Sequence, residues 1–263
     1  MPYAQANGQR LYYEDTGGSG PAIVFSHGLL MDHEMFAPQV DALRDRWRCI
    51  VWDERGHGRT AGDTLEPFSY YDSADDLAAL LRQLGVERAV LAGMSQGGYL
   101  SLRCALRHPQ RVRALILIDT QAQTEDPAKT PVYQQMLEVW AQQGLPQPIA
   151  DTIAQIILGP GWPGTPAWQD KWRAWQAHNL MGSFQALIDR DDICGQIGHI
   201  TVPALVVHGT DDAAISLDRA QDLARSLPQA ELVTVPGAGH AANLTHAEPV
   251  NAAIERFLST LPD

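Results

Sequence analysis

The chain has 263 residues, enough for one or two domains at about 150 residues each, and 45% of them are hydrophobic, which excludes wholesale disorder. Lys and Arg number 19 against 31 Asp and Glu, a net charge of −12, and a surface this acidic repels phosphate backbones and anionic lipid heads, so neither nucleic acid nor a membrane surface is expected as a partner. Cys49, Cys104 and Cys194 stand far apart with no CxxC, the opening MPYAQANGQR shows no secretory signal, and no apolar run approaches the roughly 18 residues of a membrane span, so a cytoplasmic protein without a disulfide scaffold or cysteine-rich zinc site is expected.

In chain order, Met1–Asn7 and Gln9–Asp15 flank a turn at Gly8 and carry more polar residues, which predicts an antiparallel hairpin at a sheet edge. Six short, nearly continuous apolar runs come next: Ala22–Phe25, Cys49–Trp52, Ala89–Ala92, Ala114–Ile118, Ala204–Val207 and Leu232–Val235. They do not alternate apolar with polar, so they predict strands buried on both faces, as in a parallel sheet covered by helices. After Asp72 and Ser73, which can cap a helix, Leu77, Leu80, Leu81 and Leu84 recur at helical spacing, and Gly85 can end it. Gly98–Arg107 reads as another helix, stopped by Pro109.

From about Gln121 to Ile200 no convincing strand occurs, only helical patterns broken by Pro and Gly. Some 80 residues are too many for a loop. This predicts an α/β core built from residues 1–120 and 201–263, with a helical cap, 121–200, inserted between two strands. Five of the seven tryptophans fall there: Trp140, Trp162, Trp168, Trp172 and Trp175. They make an apolar, aromatic substrate pocket one expectation and simple packing of the cap's own core the other. In the last helix Pro249 suits the first turn, and Val250, Ala253, Ile254, Phe257, Leu258 and Leu261 form one apolar stripe.

The strand Ala89–Ala92 runs into Gly93-Met94-Ser95-Gln96-Gly97. A G-x-S-x-G pattern is weak alone, but here it lies between a buried strand and a helix, the setting of a nucleophile elbow. The glycines relieve clashes in a strained turn that lifts the serine hydroxyl above the sheet. Ser95 needs a base, and His240 has the best setting, in the Gly239-His240 loop after the last strand. The base needs an orienting carboxylate. Asp211 and Asp212 follow the strand Ala204–Val207, and Asp119 follows Ala114–Ile118. Asp212 is preferred, Asp211 reading as a turn residue and Asp119 as a second alternative. An oxyanion hole needs two backbone N–H groups, expected from Gln96 and, in the His27-Gly28-Leu29-Leu30 loop, from Leu29.

These features together resemble the α/β-hydrolase fold superfamily: the His27-Gly28 loop, Asp53-x-Arg55-Gly56-x-Gly58 after a strand, the GMSQG elbow, the Gly209-x-x-Asp212 turn and the Gly239-His240 loop, in the order nucleophile, acid, histidine. The likeness spans about residues 20 to 260 and is strongest to small capped esterases, enol-lactonases and carbon–carbon bond hydrolases. It implies a cofactor-free serine hydrolase working through a Ser-His-Asp triad and an acyl-enzyme. A small-molecule carboxylic ester or lactone is the expected substrate, and the cap tryptophans and the acidic surface favour an apolar, uncharged one. A carbon–carbon bond hydrolase, perhydrolase or lyase on the same triad, and a slow-turnover ligand receptor, are the alternatives. A serine rather than an aspartate at the elbow sets the chain apart from epoxide hydrolases and haloalkane dehalogenases. Gly56-x-Gly58-x-x-Ala61 and Gly237-x-Gly239-x-x-Ala242 loosely match a dinucleotide fingerprint. The first leads into Thr60-Ala61-Gly62-Asp63 rather than a periodic helix and the second holds His240, so no nicotinamide or flavin is expected. No H-E-x-x-H or comparable metal pattern occurs either.

Overall fold

The computed structural model describes residues 2–60, 62 and 66–262. Met1 of the expected hairpin, and Ala61 and Asp63 of the stretch after Gly58, lie outside the described residues.

Strands β1 (Tyr3–Ala6) and β2 (Gln9–Asp15) form the hairpin. Asn7 and Gly8 close it with φ of 50° and 76°, the left-handed pair that a two-residue turn of this twist requires. β2 pairs antiparallel with β4 (Arg48–Trp52). With β3 (Ala22–Ser26), β5 (Ala89–Met94), β6 (Val112–Ile118), β7 (Ala204–Gly209) and β8 (Ala230–Val235), they make one eight-stranded sheet in the order β1-β2-β4-β3-β5-β6-β7-β8, parallel from β4 onward. Each apolar run is a strand, extended by one or two residues where backbone pairing outlasts the apolar residues.

The central strands are buried on both faces: Val90–Ala92, Leu115–Leu117 and Leu205–Val207 have no exposed surface. β8 departs from that expectation. Only Val235 is fully buried, because β8 is the outermost strand and lacks a neighbour on one side.

Helix α1 (Ala37–Leu43) packs with α9 (Ala242–Thr245) and α10 (Ala247–Ser259), and α2 (Tyr70–Gln83) packs with α3 (Gln96–Arg107), which lies against β3, β5 and β6. α2 begins earlier than Asp72 and Ser73 suggest. Ser69 is its N-cap, and the Asp72 carboxylate accepts from the Ser69 N–H at 2.8 Å, a reciprocal capping box. Gly85, at φ 68°, ends it while the Val86 N–H donates to the Leu81 carbonyl at 2.9 Å.

Between β6 and β7 the chain forms α4 (Thr130–Gln143), α5 (Gln147–Leu158), α6 (Thr165–Arg173) and α7 (Ala177–Ile188), with no strand among the described residues there. A proline occupies the first turn of α4, α5 and α6, where a missing N–H costs nothing. α8 (Leu217–Ser226) joins β7 to β8. Among the described residues no helix is long and apolar enough to cross a membrane.

Strand register places the ends of the parallel strands level with one another. Ser26 pairs with Trp52 and Gly93, Met94 with Ile118, Ile118 with Val207, and Gly209 with Val235. The carboxyl ends of β3, β5, β6, β7 and β8 therefore share one edge, and the loops holding Leu29, Ser95, Asp119, Asp212 and His240 all leave from it.

Candidate active site

Ser95 sits between β5 and α3 at φ 51°, ψ −114°, a conformation a side chain rarely tolerates. Its N–H donates to the Ile118 carbonyl at 2.9 Å. Its carbonyl accepts from the Thr120 hydroxyl at 2.7 Å and from the Gly98 N–H at 2.9 Å. These bonds hold the strained turn from both sides. The flanking glycines are needed for space: a Cβ on Gly93 would run into the Gly97 carbonyl, and one on Gly97 into the Ser26 carbonyl.

The Ser95 hydroxyl lies 3.0 Å from His240 Nε2, and His240 Nδ1 lies 2.8 Å from Asp212 Oδ2. Asp212 is itself anchored, its Oδ1 accepting from the Ala214 N–H at 2.8 Å and the Ile215 N–H at 3.0 Å. The other two carboxylates are engaged elsewhere. Asp119 accepts from the Gly209 N–H at 2.8 Å and the Ala242 N–H at 3.0 Å. Asp211 is exposed and accepts from the Thr210 hydroxyl.

Burial pushes the His240 imidazole down, but the Asp212 carboxylate, through its charge and its hydrogen bond, outweighs burial and leaves the net shift upward. Burial likewise raises Asp212, and the charge and hydrogen bond of His240 outweigh it, so Asp212 lies below the usual carboxylate range. Asp119 goes the other way: burial, then the negative charge of Asp212, hold it well above the ordinary value.

Both expected oxyanion donors face no competing acceptor among the described residues: neither the Leu29 nor the Gln96 backbone N–H has a hydrogen-bond partner there. The Gln96 side chain is pinned behind the site, donating to Glu54 Oε2 at 3.0 Å and accepting from the Tyr70 hydroxyl at 3.2 Å. Burial holds Glu54 well above the carboxylate range. His27 shapes the loop after β3, as its position suggests. Its Nε2 accepts from the Glu54 N–H at 3.0 Å, so the proton is on Nδ1, which donates to the Gly28 carbonyl at 2.8 Å. Sequence reasoning missed Glu54 and the glutamine side chain, since nothing in the DERGHG stretch marks one acid as buried.

Ser95 and His240 open onto an apolar cavity of roughly 690 Å³, solvent-open space included. Its walls include Met136 of α4, Ile153, Ile156 and Ile157 of α5, Phe184 and Leu187 of α7, and Tyr99. None of the five tryptophans lines it, contrary to the expectation that they would form the pocket and in line with the packing alternative; its aromatic residues are Tyr99, Tyr133 and Phe184. Trp140, Trp168 and Trp172 are buried in packing, Trp175 stacks edge-on against His57, and the ring of Trp162 covers Gly164. Trp168 and Trp175 line a separate cleft with Arg59 and Lys171. The aliphatic wall was not visible as such, because helical apolar periodicity looks the same for a packed core and a pocket. Two loops of the site are tied to the helices above them: the Ala241 N–H donates to the Ile157 carbonyl at 2.9 Å, and the Trp172 indole to the Leu30 carbonyl at 2.8 Å.

Among the described residues one group could hold a metal by distance alone: Asp119, His208 and Asp212 offer atoms within 4.8 Å of one another. Both carboxylates are already committed to backbone N–H groups or His240, and His208 Nε2 donates to the Ile215 carbonyl at 2.9 Å. Cys49 and Cys104 are buried free thiols and Cys194 an exposed one.

Known proteins share this architecture. The family described as alpha/beta hydrolase fold matches residues 21–157, and one described as TAP-like protein matches residues 189–262. The chain belongs to the α/β-hydrolase fold family. The RutD protein of Caulobacter sp. (strain K31), named for carbamate hydrolysis, is 32% identical over 263 residues, covering 95% of this chain and 96% of its own. The 2-(acetamidomethylene)succinate hydrolase of Mesorhizobium japonicum (strain LMG 29417 / CECT 9101 / MAFF 303099) is 30% identical, covering 92% of this chain and 89% of its own. The crystal structure of the enol-lactonase from Burkholderia xenovorans LB400 superposes with a TM-score of 0.89 at 27% identity, covering 98% of this chain and all of that one.

Proposed function

We propose that the protein is a serine hydrolase that cleaves a small carboxylic ester or lactone with an apolar acyl group, through an acyl-enzyme on Ser95. What carries the reading is the continuous hydrogen-bonded set Ser95–His240–Asp212, at 3.0 Å and 2.8 Å, opening onto an apolar cavity.

Ser95 Oγ attacks the substrate carbonyl as His240 Nε2 takes its proton. Asp212 holds the imidazole with Nδ1 protonated and stabilises the imidazolium that forms. The Leu29 and Gln96 N–H groups hydrogen-bond the developing oxyanion. His240 then gives its proton to the leaving oxygen, and the alcohol departs, or stays tethered in a lactone. A water, deprotonated by His240, attacks the acyl-enzyme, and the proton returns to Ser95 as the acid leaves. In this reading residues 121–200 act as a cap over a core of 1–120 and 201–263, with α4, α5 and α7 supplying the acyl wall. The small-molecule substrate meets mostly methyl, methylene and phenyl groups, which favours an uncharged acyl chain.

The names of two relatives favour a second reading, in which the carbonyl belongs to a carbamate or an enamide. The same triad serves either, and the leaving group decides. A panel of p-nitrophenyl esters, lactones and carbamates, with Ser95→Ala as control, tests both. Esters or lactones should turn over best, and the variant should keep its fold while losing at least about three decades of kcat. Normal turnover by Ser95→Ala would overturn the mechanism, and a clear preference for carbamates would move the substrate class to the second reading.

A further inference from the structure

We propose that Trp172 and Lys171, on α6, are positioning residues for the oxyanion site, with the Trp172 indole N–H holding the far end of a chain of two peptide groups that aims the Leu29 N–H. The inference rests on reading Ser95 as the nucleophile and Leu29 as an oxyanion donor.

The loop after β3 is a tight turn in which the Met31 N–H donates to the Gly28 carbonyl at 3.1 Å, leaving Leu29 and Leu30 at its centre. Leu30 has φ 64°, at the position of such a turn that normally takes glycine. A leucine does not rest there unaided. The Leu30 carbonyl is gripped by the Trp172 indole N–H at 2.8 Å, and Trp172 has no exposed surface. The neighbouring Lys171 ammonium donates to Asp32 at 2.7 Å and Glu34 at 2.8 Å, just beyond the turn. Two consecutive residues of one helix therefore hold the same loop.

Peptide geometry carries the effect to the site. The Leu30 carbonyl and the Met31 N–H belong to one planar trans unit, and the Gly28 carbonyl and the Leu29 N–H to another. Trp172 fixes the first unit, whose N–H binds the carbonyl of the second. The His27 Nδ1–H binds that same Gly28 carbonyl at 2.8 Å. The Leu29 N–H, opposite its carbonyl across the planar unit, is thereby aimed away from both donors, and no acceptor among the described residues competes for it. Hydrogen bonds in series polarise one another, so the last N–H is a stronger donor as well as a fixed one.

An indole N–H on a carbonyl also satisfies two buried polar groups, whatever happens at the site. The two roles separate when the N–H is removed and an aromatic ring kept. Trp172→Phe should lower kcat on a p-nitrophenyl ester about tenfold, less than the roughly 100-fold or more expected for losing an oxyanion donor outright, with KM within twofold. Amide hydrogen exchange over Leu29–Asp32 should speed up while β5 amides stay unchanged. Unchanged exchange in the loop, or faster exchange with kcat within twofold of wild type, overturns the proposal. Should Trp172→Phe fail to fold, Lys171→Met decides: about a threefold loss of kcat at constant KM supports the proposal and no loss overturns it. A wild type no more active than Ser95→Ala overturns the functional reading and this inference together, whereas an active wild type with an unaltered Trp172→Phe variant overturns this inference alone.

Discussion

Replacing Asp212 with asparagine isolates what the acid does in the proposed triad, because the surroundings dictate how the amide will sit. Asp212 Oδ1 accepts from the N–H groups of Ala214 and Ile215, while Oδ2 faces His240 Nδ1 at 2.8 Å. Asparagine keeps its oxygen where two N–H donors require it and so turns its NH₂ toward His240. The imidazole then presents a lone pair at Nδ1, and its proton moves to Nε2, 3.0 Å from the Ser95 hydroxyl. A base carrying a proton on that nitrogen cannot accept another. The expected loss is about three to four decades of kcat, or about 4–5.5 kcal/mol of transition-state stabilisation at about 1.36 kcal/mol per decade. The fold should persist, since both backbone bonds and the bond to His240 are retained, and Tm should stay within about 5 °C of wild type. Ester hydrolysis at pH 8 paired with a thermal melt reads both quantities. Asp212→Asn retaining more than a tenth of wild-type kcat, with Tm unchanged, would refute the assignment of the acid.

Asp119→Asn should behave oppositely. One amide cannot accept from both Gly209 and Ala242, so a buried N–H loses its partner and stability falls by about 1–3 kcal/mol in denaturant titrations, while kcat drops less than about tenfold. The acid limb of the kcat/KM–pH profile should have its midpoint above about 6.5, because Asp212 raises His240 and only the neutral imidazole is a base; a midpoint at or below that value contradicts the pairing. The stability that His240 draws from this pair is complete below about pH 6.5 and fades as pH rises through its higher folded pKa. The share from Asp212 is present above about pH 3.9 and fades as pH falls through its lower folded pKa, and thermal melts across both windows check the two signs. Trp140→Ala, at a residue buried in α4 that does not itself line the cavity, should cost about 3–5 kcal/mol of stability and leave KM within twofold, measured by urea unfolding and steady-state kinetics.

Much of this molecule could be read from local pattern. Apolar runs without alternation, such as Leu115–Leu117, point to strands covered on both faces, which holds for the central strands and fails at the edge strand β8, and Ser95 between two glycines after such a run marks the turn at the strand's end. The order of strands and helices, and the helical stretch between β6 and β7, come from periodicity and Pro/Gly breaks, which act over a few residues. Helix starts were less legible. Asp72 looked like a cap, but the residue that caps α2 is Ser69, with Asp72 closing the box from inside.

Three acids near strand ends, Asp119, Asp211 and Asp212, stayed open as the triad acid because each comes after an apolar run, with Asp212 preferred and Asp211 and Asp119 as alternatives. The choice among them depends on which backbone N–H groups each side chain meets after the sheet has aligned its carboxyl ends, and those groups come from residues up to 123 positions away. The tryptophans teach the same lesson from the other side. Composition drew attention to them, yet the cavity is walled by isoleucine, leucine, methionine and phenylalanine, while Trp172 spends its N–H on a loop 142 residues away. Strands, turns and the serine's setting are consequences of short-range sterics and burial, which the order of residues carries directly. Which carboxylate faces His240, and which apolar residues face Ser95, are set by packing between distant segments, and only the folded chain brings those together.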